Sequence, residues 1–222
     1  MLEMKQTKSI YQPDWQSLSL PAIDQRMAAM PTAGVIDTIN WPEQYPVAPD
    51  AKFTLAHTDE MLYVRFEVKG EVPLVTKTND LELVNEDACV EMFIGNADNT
   101  RYWNFEFNAA GVCNASNRKE RKVDVVRLNA EQLKSIQRYA QLPIVDCSSL
   151  PLKGEMEGAS WTLLIGIPLS LIELDLTKEH SRRANFYKCG DKTPMKHYAS
   201  WNPIKAEAPA FHLPEYFGEV IF

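Results

Sequence analysis

The chain has 222 residues, 45% of them hydrophobic, with 14 prolines and 9 glycines, a composition that excludes wholesale disorder, collagen and low-complexity repeats. Its 23 Lys and Arg stand against 30 Asp and Glu, a formal charge of −7. That balance argues against a nucleic-acid partner or an anionic membrane surface, because both call for clustered basic residues.

Residues 1–50 hold six prolines and no clear hydrophobic period. They read as an irregular leader over 1–34, followed by one short strand near Gly34–Asp37. The stretch after Met1 lacks the apolar core of about 7–15 residues that a secretory signal requires. A cytoplasmic location is therefore expected, or export if the chain is a processed form. No run approaches the ~18 apolar residues of a membrane span, so membrane insertion is not expected.

Clean alternation begins at Ala51. Ala51–His57 and Met61–Val68 read as strands joined by a polar turn at 58–60. In the second, Leu62, Val64, Phe66 and Val68 share one face, with Tyr63, Arg65 and Glu67 on the other. Ala88–Gly95 sets Val90, Met92 and Ile94 against Cys89, Glu91 and Phe93. Arg101–Asn108 sets Trp103, Phe105 and Phe107 against Tyr102, Asn104, Glu106 and Asn108. The turn cluster at 96–100 predicts that these two strands form a hairpin. Val112–Ser116 and Lys122–Arg127 read as further strands.

One helix is predicted after Asn129, with Gln132 at the reciprocal capping position and Leu133, Ile136 and Ala140 on one face before Pro143. Trp161–Ile167, a turn near Leu169–Leu174, Ala184–Cys189 and a terminal strand Gly218–Phe222 complete the pattern. About nine strands and one short helix predict an all-β protein, an antiparallel β-sandwich forming a single domain over 1–222. Cys89, Cys113, Cys147 and Cys189 lack the close pairing of zinc sites and read as unpaired structural thiols.

The common enzyme templates are missing: no Gly-rich phosphate loop, nucleophile elbow, HExxH or dinucleotide fingerprint is present. The polar face of the strands is more informative. Arg65, Glu91, Asn104, Glu106 and Asn108 all point away from the apolar side, a set of planar donors and acceptors that suits vicinal sugar hydroxyls. The alternative is a wet sheet face cross-linked by ion pairs. The aromatic, proline-rich segments after residue 184 add Lys188, Asp191, Trp201 and Phe211. Trp201 and Phe211 are each placed either to stack on a sugar ring or to plug the core. Glu91 and Glu106 on adjacent strands also meet the minimum requirement of a two-carboxylate glycoside hydrolase. A module docking a protein partner on the same face is a third reading.

Taken in order, Trp41 with Pro46, the 59–64 turn-and-strand, the Val90-Glu91-x-Phe93 motif, 104–108, Trp161 to Pro168, 184–187, and Ser200 to Gly218 resemble carbohydrate-binding module family 9. The resemblance runs over roughly residues 35–222, closest to stand-alone bacterial members. It implies a noncatalytic β-sandwich that binds a small saccharide or glycan end, linked to polysaccharide catabolism, with structural Ca²⁺ common. It also implies that Glu91 is the family's glutamate and that Phe211 replaces one of two clamping tryptophans. The other clamp position falls near Leu83–Asn85, where no aromatic stands, and Glu106 takes the place of a central-strand arginine. A weakened, altered or absent sugar site is the expectation that follows.

Overall fold

Apolar residues at every second position let each central strand feed an interlayer core while turning a different surface outward. The computed structural model describes residues 4–143 and 159–222. In chain order its elements are β1 (Gln6–Lys8), β2 (Ile10–Tyr11), α1 (Leu20–Ala28), β3 (Gly34–Val35), β4 (Asp50–His57) and β5 (Met61–Lys69). Then follow β6 (Cys89–Gly95), β7 (Tyr102–Asn108), β8 (Cys113–Arg118), β9 (Val126–Arg127), α2 (Ala130–Ser135) and β10 (Gln137–Gln141). The chain ends with β11 (Ser160–Pro168), β12 (Ser181–Gly190), β13 (His197–Ser200) and β14 (Gly218–Ile221).

The strands form two sheets, an all-β sandwich. The front sheet runs β1-β14-β12-β6-β7-β8-β9 with β13 also on β12, and the back sheet runs β10-β11-β5-β4-β2 with β3 on β4. The expected hairpin is present, with Glu91 directly opposite Glu106. Pairing is antiparallel except at two short edges, where β1 joins β14 and β2 joins β4 in parallel. Between the sheets, Val90, Met92, Ile94, Phe105 and Phe107 meet Phe53, Val64, Phe66, Leu163 and Ile165. Phe53 and Phe186 stack across this layer with centroids 3.8 Å apart.

The leader departs from expectation. It is not irregular: residues 6–11 add edge strands to both sheets, and α1 packs on the outer face of the back sheet. Trp15, Ile23 and Met27 bury Ala56, Tyr63 and Leu164 there. Pro13 and Pro21 fall in the first turn of a helical segment, where proline's missing N–H costs nothing. The helix after Asn129 has its full capping box but stops at Ser135, so two short α-helices are present among the described residues where one was expected. Ile136 turns extended, and residues 137–141 pair with β11 instead. Lys122–Arg127 shortens to β9, broken by Asp124 at φ +49°. His197–Ser200, absent from the predicted strands, is a strand on β12.

Cys89, Cys113 and Cys189 are buried free thiols; Cys147 lies outside the described residues. No described helix is long and apolar enough to cross a membrane.

Candidate functional site

The outer face of the front sheet is covered by a second aromatic layer of Trp41, Phe93, Tyr102, Tyr187 and Phe217. Beside this layer a cavity of about 320 Å³ opens. Register builds its floor: Tyr187 opposes Glu91, Glu91 opposes Glu106, and Glu106 opposes Asn114, one row of side chains across four strands. Arg118, Arg121 and Arg127 form one wall, and Asn85, Asp191 and Tyr198 the other. Leu83, His212 and Phe211 also line it.

Glu106 is held from below. Asn104 donates to its Oε1 at 2.8 Å and Asn114 to its Oε2 at 3.1 Å. The Ser116 hydroxyl donates to Asn104 Oδ1 and accepts from Arg118 Nε at 2.9 Å, so the arginine is the far end of a fixed polar chain. Glu91 sits in a thiol nest, with Cys189 donating to Oε1 at 3.2 Å and Cys89 at 3.9 Å. Burial, then the neighbouring Cys189 and Glu106, pushes the Glu91 carboxyl well above the usual carboxylate range. Burial also raises Glu106, while Asn114, Arg118 and Asn104 pull it back. Two carboxyls face to face in one buried row keep a proton that exposed ones would lose.

Opposite, Asp191 accepts from Asn85 Nδ2 at 2.8 Å and from the Tyr198 hydroxyl at 2.6 Å. Phe211 lies flat on Tyr187, with centroids 4.3 Å apart and planes 12° off parallel. His212 is bonded to the Tyr102 hydroxyl, and burial with Arg118 and Arg121 nearby lowers its pKa to about 3, leaving the ring neutral.

Of the residues picked from sequence, Glu91, Glu106, Asp191 and Phe211 line this cavity. Asn104 and Asn108 share its face but are fully buried; Asn104 steadies Glu106, and Asn108 donates to Asp87 at 3.0 Å. The other three must be reassigned. Arg65 is on the outer face of the opposite sheet, paired with Asp24 at 2.8 Å under α1. Lys188 stands in register with Val90, so it points into the core and bonds Glu71 at 3.0 Å. Trp201 is core, packed edge-on against Phe53 and Phe186. Sequence reasoning passed over Arg118, Arg121 and Arg127. Extending the Asn114–Ser116 alternation by two residues puts Arg118 on the face that carries Glu106, opposite Tyr102.

The described residues bring together one cluster able to hold a metal, Cys89, Glu91 and Cys189, whose ligand atoms lie within 4.8 Å of one another. Two of its three donors are soft thiols, unlike the all-oxygen cage calcium takes. At the acidic hairpin tip, Asp98 accepts from the Thr100 N–H and O–H.

The family model for carbohydrate-binding family 9 matches residues 21–222. The chain belongs to that family. Its structure is similar to that of a candidate carbohydrate-binding protein from Bacteroides uniformis ATCC 8492, with TM-score 0.83, 29% identity, and cover of 99% of this chain and 100% of that one. It also resembles a family 9 module from Caldicellulosiruptor kristjanssonii in complex with glucose, at TM-score 0.54 and 15% identity over 98% of this chain and 95% of that one. The cellotriose complex of a family 9 module from that organism gives 0.53 and 14% over 98% and 93%. At these identities the Caldicellulosiruptor modules share the fold alone. No protein of curated function matches the chain.

Proposed function

We propose that this family 9 protein is a noncatalytic saccharide binder that holds a small sugar or glycan end in the front-sheet cavity, in the service of polysaccharide breakdown. The observation that carries the reading is the floor row of Glu91, Glu106 and Asn114 set beside the partly exposed ring of Phe211. A sugar offers hydroxyls that both donate and accept, and a protonated carboxyl, an amide and a guanidinium answer both roles. The apolar C–H face of the ring packs on an aromatic such as Phe211. At about 320 Å³ the cavity is at the small end of ligand pockets, which run from ~300 to 1,000 Å³, and suits one or two sugar units.

Isothermal titration calorimetry against a panel of mono- and disaccharides tests this, with saturable heat for at least one sugar as the expected outcome. Silence across the panel would leave the protein-docking reading in its place. Glycoside hydrolysis draws on one observation, the direct pairing of Glu91 with Glu106. That chemistry needs one carboxyl raised and the other ionised, whereas here both are pushed upward. Incubation with xylo- and cello-oligosaccharides is expected to release no new reducing ends. Release that disappears in Glu91→Gln would make the protein a hydrolase.

A further inference from the structure

The cavity wall carries an imbalance that neutral-sugar binding leaves unexplained. Arg118, Arg121 and Arg127 all line it, in a chain whose formal charge is −7. Among the described residues none of the three makes an ion pair. Arg118 spends its donors on the Ser116 hydroxyl and the Arg121 carbonyl, and Arg127 reaches only the Leu81 carbonyl at 3.5 Å. Arg118 is also half-buried, and burial lowers its pKa. A guanidinium withdrawn from water without a carboxylate is held in an unfavourable state, which an incoming anion would relieve. The two buried arginines have acids beside them, Arg65 with Asp24 and Arg182 with Glu179, while the half-buried Arg101 and Arg183 spend their donors on amide and carbonyl oxygens.

We propose that the cavity selects saccharides bearing an anionic oxyacid group, a carboxylate or a sulfate, which the unpaired arginine wall receives while Phe211 and the floor row hold the ring. The inference rests on the saccharide reading and specifies its ligand class. Three acids border the cavity, Glu91, Glu106 and Asp191, and they do not cancel the wall. Glu91 and Glu106 resist ionisation, and Asp191 is already engaged by Asn85 and Tyr198 on the far side. His212 stays neutral, so the wall's charge comes from the guanidiniums alone. Their planar forks match the oxygen pairs of carboxylate and sulfate.

The test is calorimetry of the intact protein with glucose and galactose, their uronic acids, and their 6-sulfates, at low and high salt. The expected result is roughly tenfold or greater preference for an acidic sugar over its neutral parent, falling as salt rises. Preference for the uronates names the carboxylate, and preference for the sulfates names the ester; either supports the proposal. Equal affinity for acidic and neutral sugars overturns it while leaving saccharide binding intact, whereas silence from every sugar removes the saccharide reading itself. Arg118→Gln carries a folding risk because Arg118 anchors Ser116. The exposed pair is therefore changed as well, and Arg121→Gln with Arg127→Gln should bring the acidic-to-neutral affinity ratio toward one. A ratio that stays unchanged in the double variant would sink the assignment.

Discussion

Arg65 and Phe211 show how one residue's role is set by what it touches. Arg65 and Asp24 keep side-chain exposures of only 8% and 6% beneath α1, so their pairing holds the leader to the back sheet. Arg65→Met strands a buried carboxylate, and breaking such a pair from one side costs about 3–5 kcal/mol. Urea unfolding should record that loss while sugar affinity, measured at full folding, does not move. Phe211 faces the cavity but is also stacked on Tyr187. Phe211→Ala should therefore weaken sugar binding and, because an aromatic pair is worth about 0.5–1.5 kcal/mol beyond its burial, lower the melting temperature too. Unaltered affinity in the folded variant would remove Phe211 from the binding surface.

At the scale of elements, β12 explains what was legible and what was not. Its inner face holds Ala184, Phe186 and Lys188, and its outer face Asn185, Tyr187 and Cys189. Residue type alone assigns a lysine outward. Lys188 is nevertheless fully buried because its ammonium donates to Glu71 and the Cys189 carbonyl and lies 2.8 Å from His197 Nε2. Glu71 in turn accepts from Trp161 Nε1 at 3.1 Å, so this cluster ties β11, β12 and β13 together. Lys188→Met should destabilise by about 3–5 kcal/mol, and adding Glu71→Gln should restore most of it, since replacing both members of a buried pair is often near neutral. A double-mutant cycle under urea measures the coupling, and additive losses would show that the pair contributes no mutual term.

The facing of the side chains was readable in β4 to β8 and β11, whose buried faces are largely apolar, whereas in β12, read correctly as a strand over Ala184–Cys189, Lys188 breaks the pattern. Tertiary pairing is invisible to such patterns. Leu133, Ile136 and Ala140 keep helical spacing, yet an open edge of β11 takes residues 137–141 as a strand. Proline punctuation misled in the leader because it marks helix starts as readily as loops. At the site, the Glu91–Glu106 row follows from hairpin register alone. The arginine wall does not, because Arg121 and Arg127 reach the cavity through a loop and a two-residue strand.

For the whole molecule, buried ionisable groups predict opposing responses to pH. His197 is lowered to about 3 by burial and the neighbouring Lys188, and His212 to about 3 by burial and the nearby arginines. Unfolding exposes both to their ordinary pKa near ~6.5, so the unfolded chain binds more protons below that value. Their contribution is complete above ~6.5 and is lost as pH falls toward about 3. Glu91 and Glu106 act in the other direction. Their folded values are raised, so the stability they contribute is present below the ordinary carboxylate range near ~4.3. It is lost as pH rises through the folded values, because the unfolded chain ionises more easily. Between ~4.3 and 6.5 the two effects oppose each other, and above ~6.5 the histidines add no further pH dependence. Glu91→Gln keeps the shape of the protonated acid and removes its ionisation. The variant should match the parent below the ordinary carboxylate pKa near ~4.3 and exceed it increasingly as pH rises above that value, as read from urea midpoints followed by tryptophan fluorescence. Parallel pH profiles for parent and variant would mean that Glu91 is already ionised in the folded protein and that the cavity floor is charged.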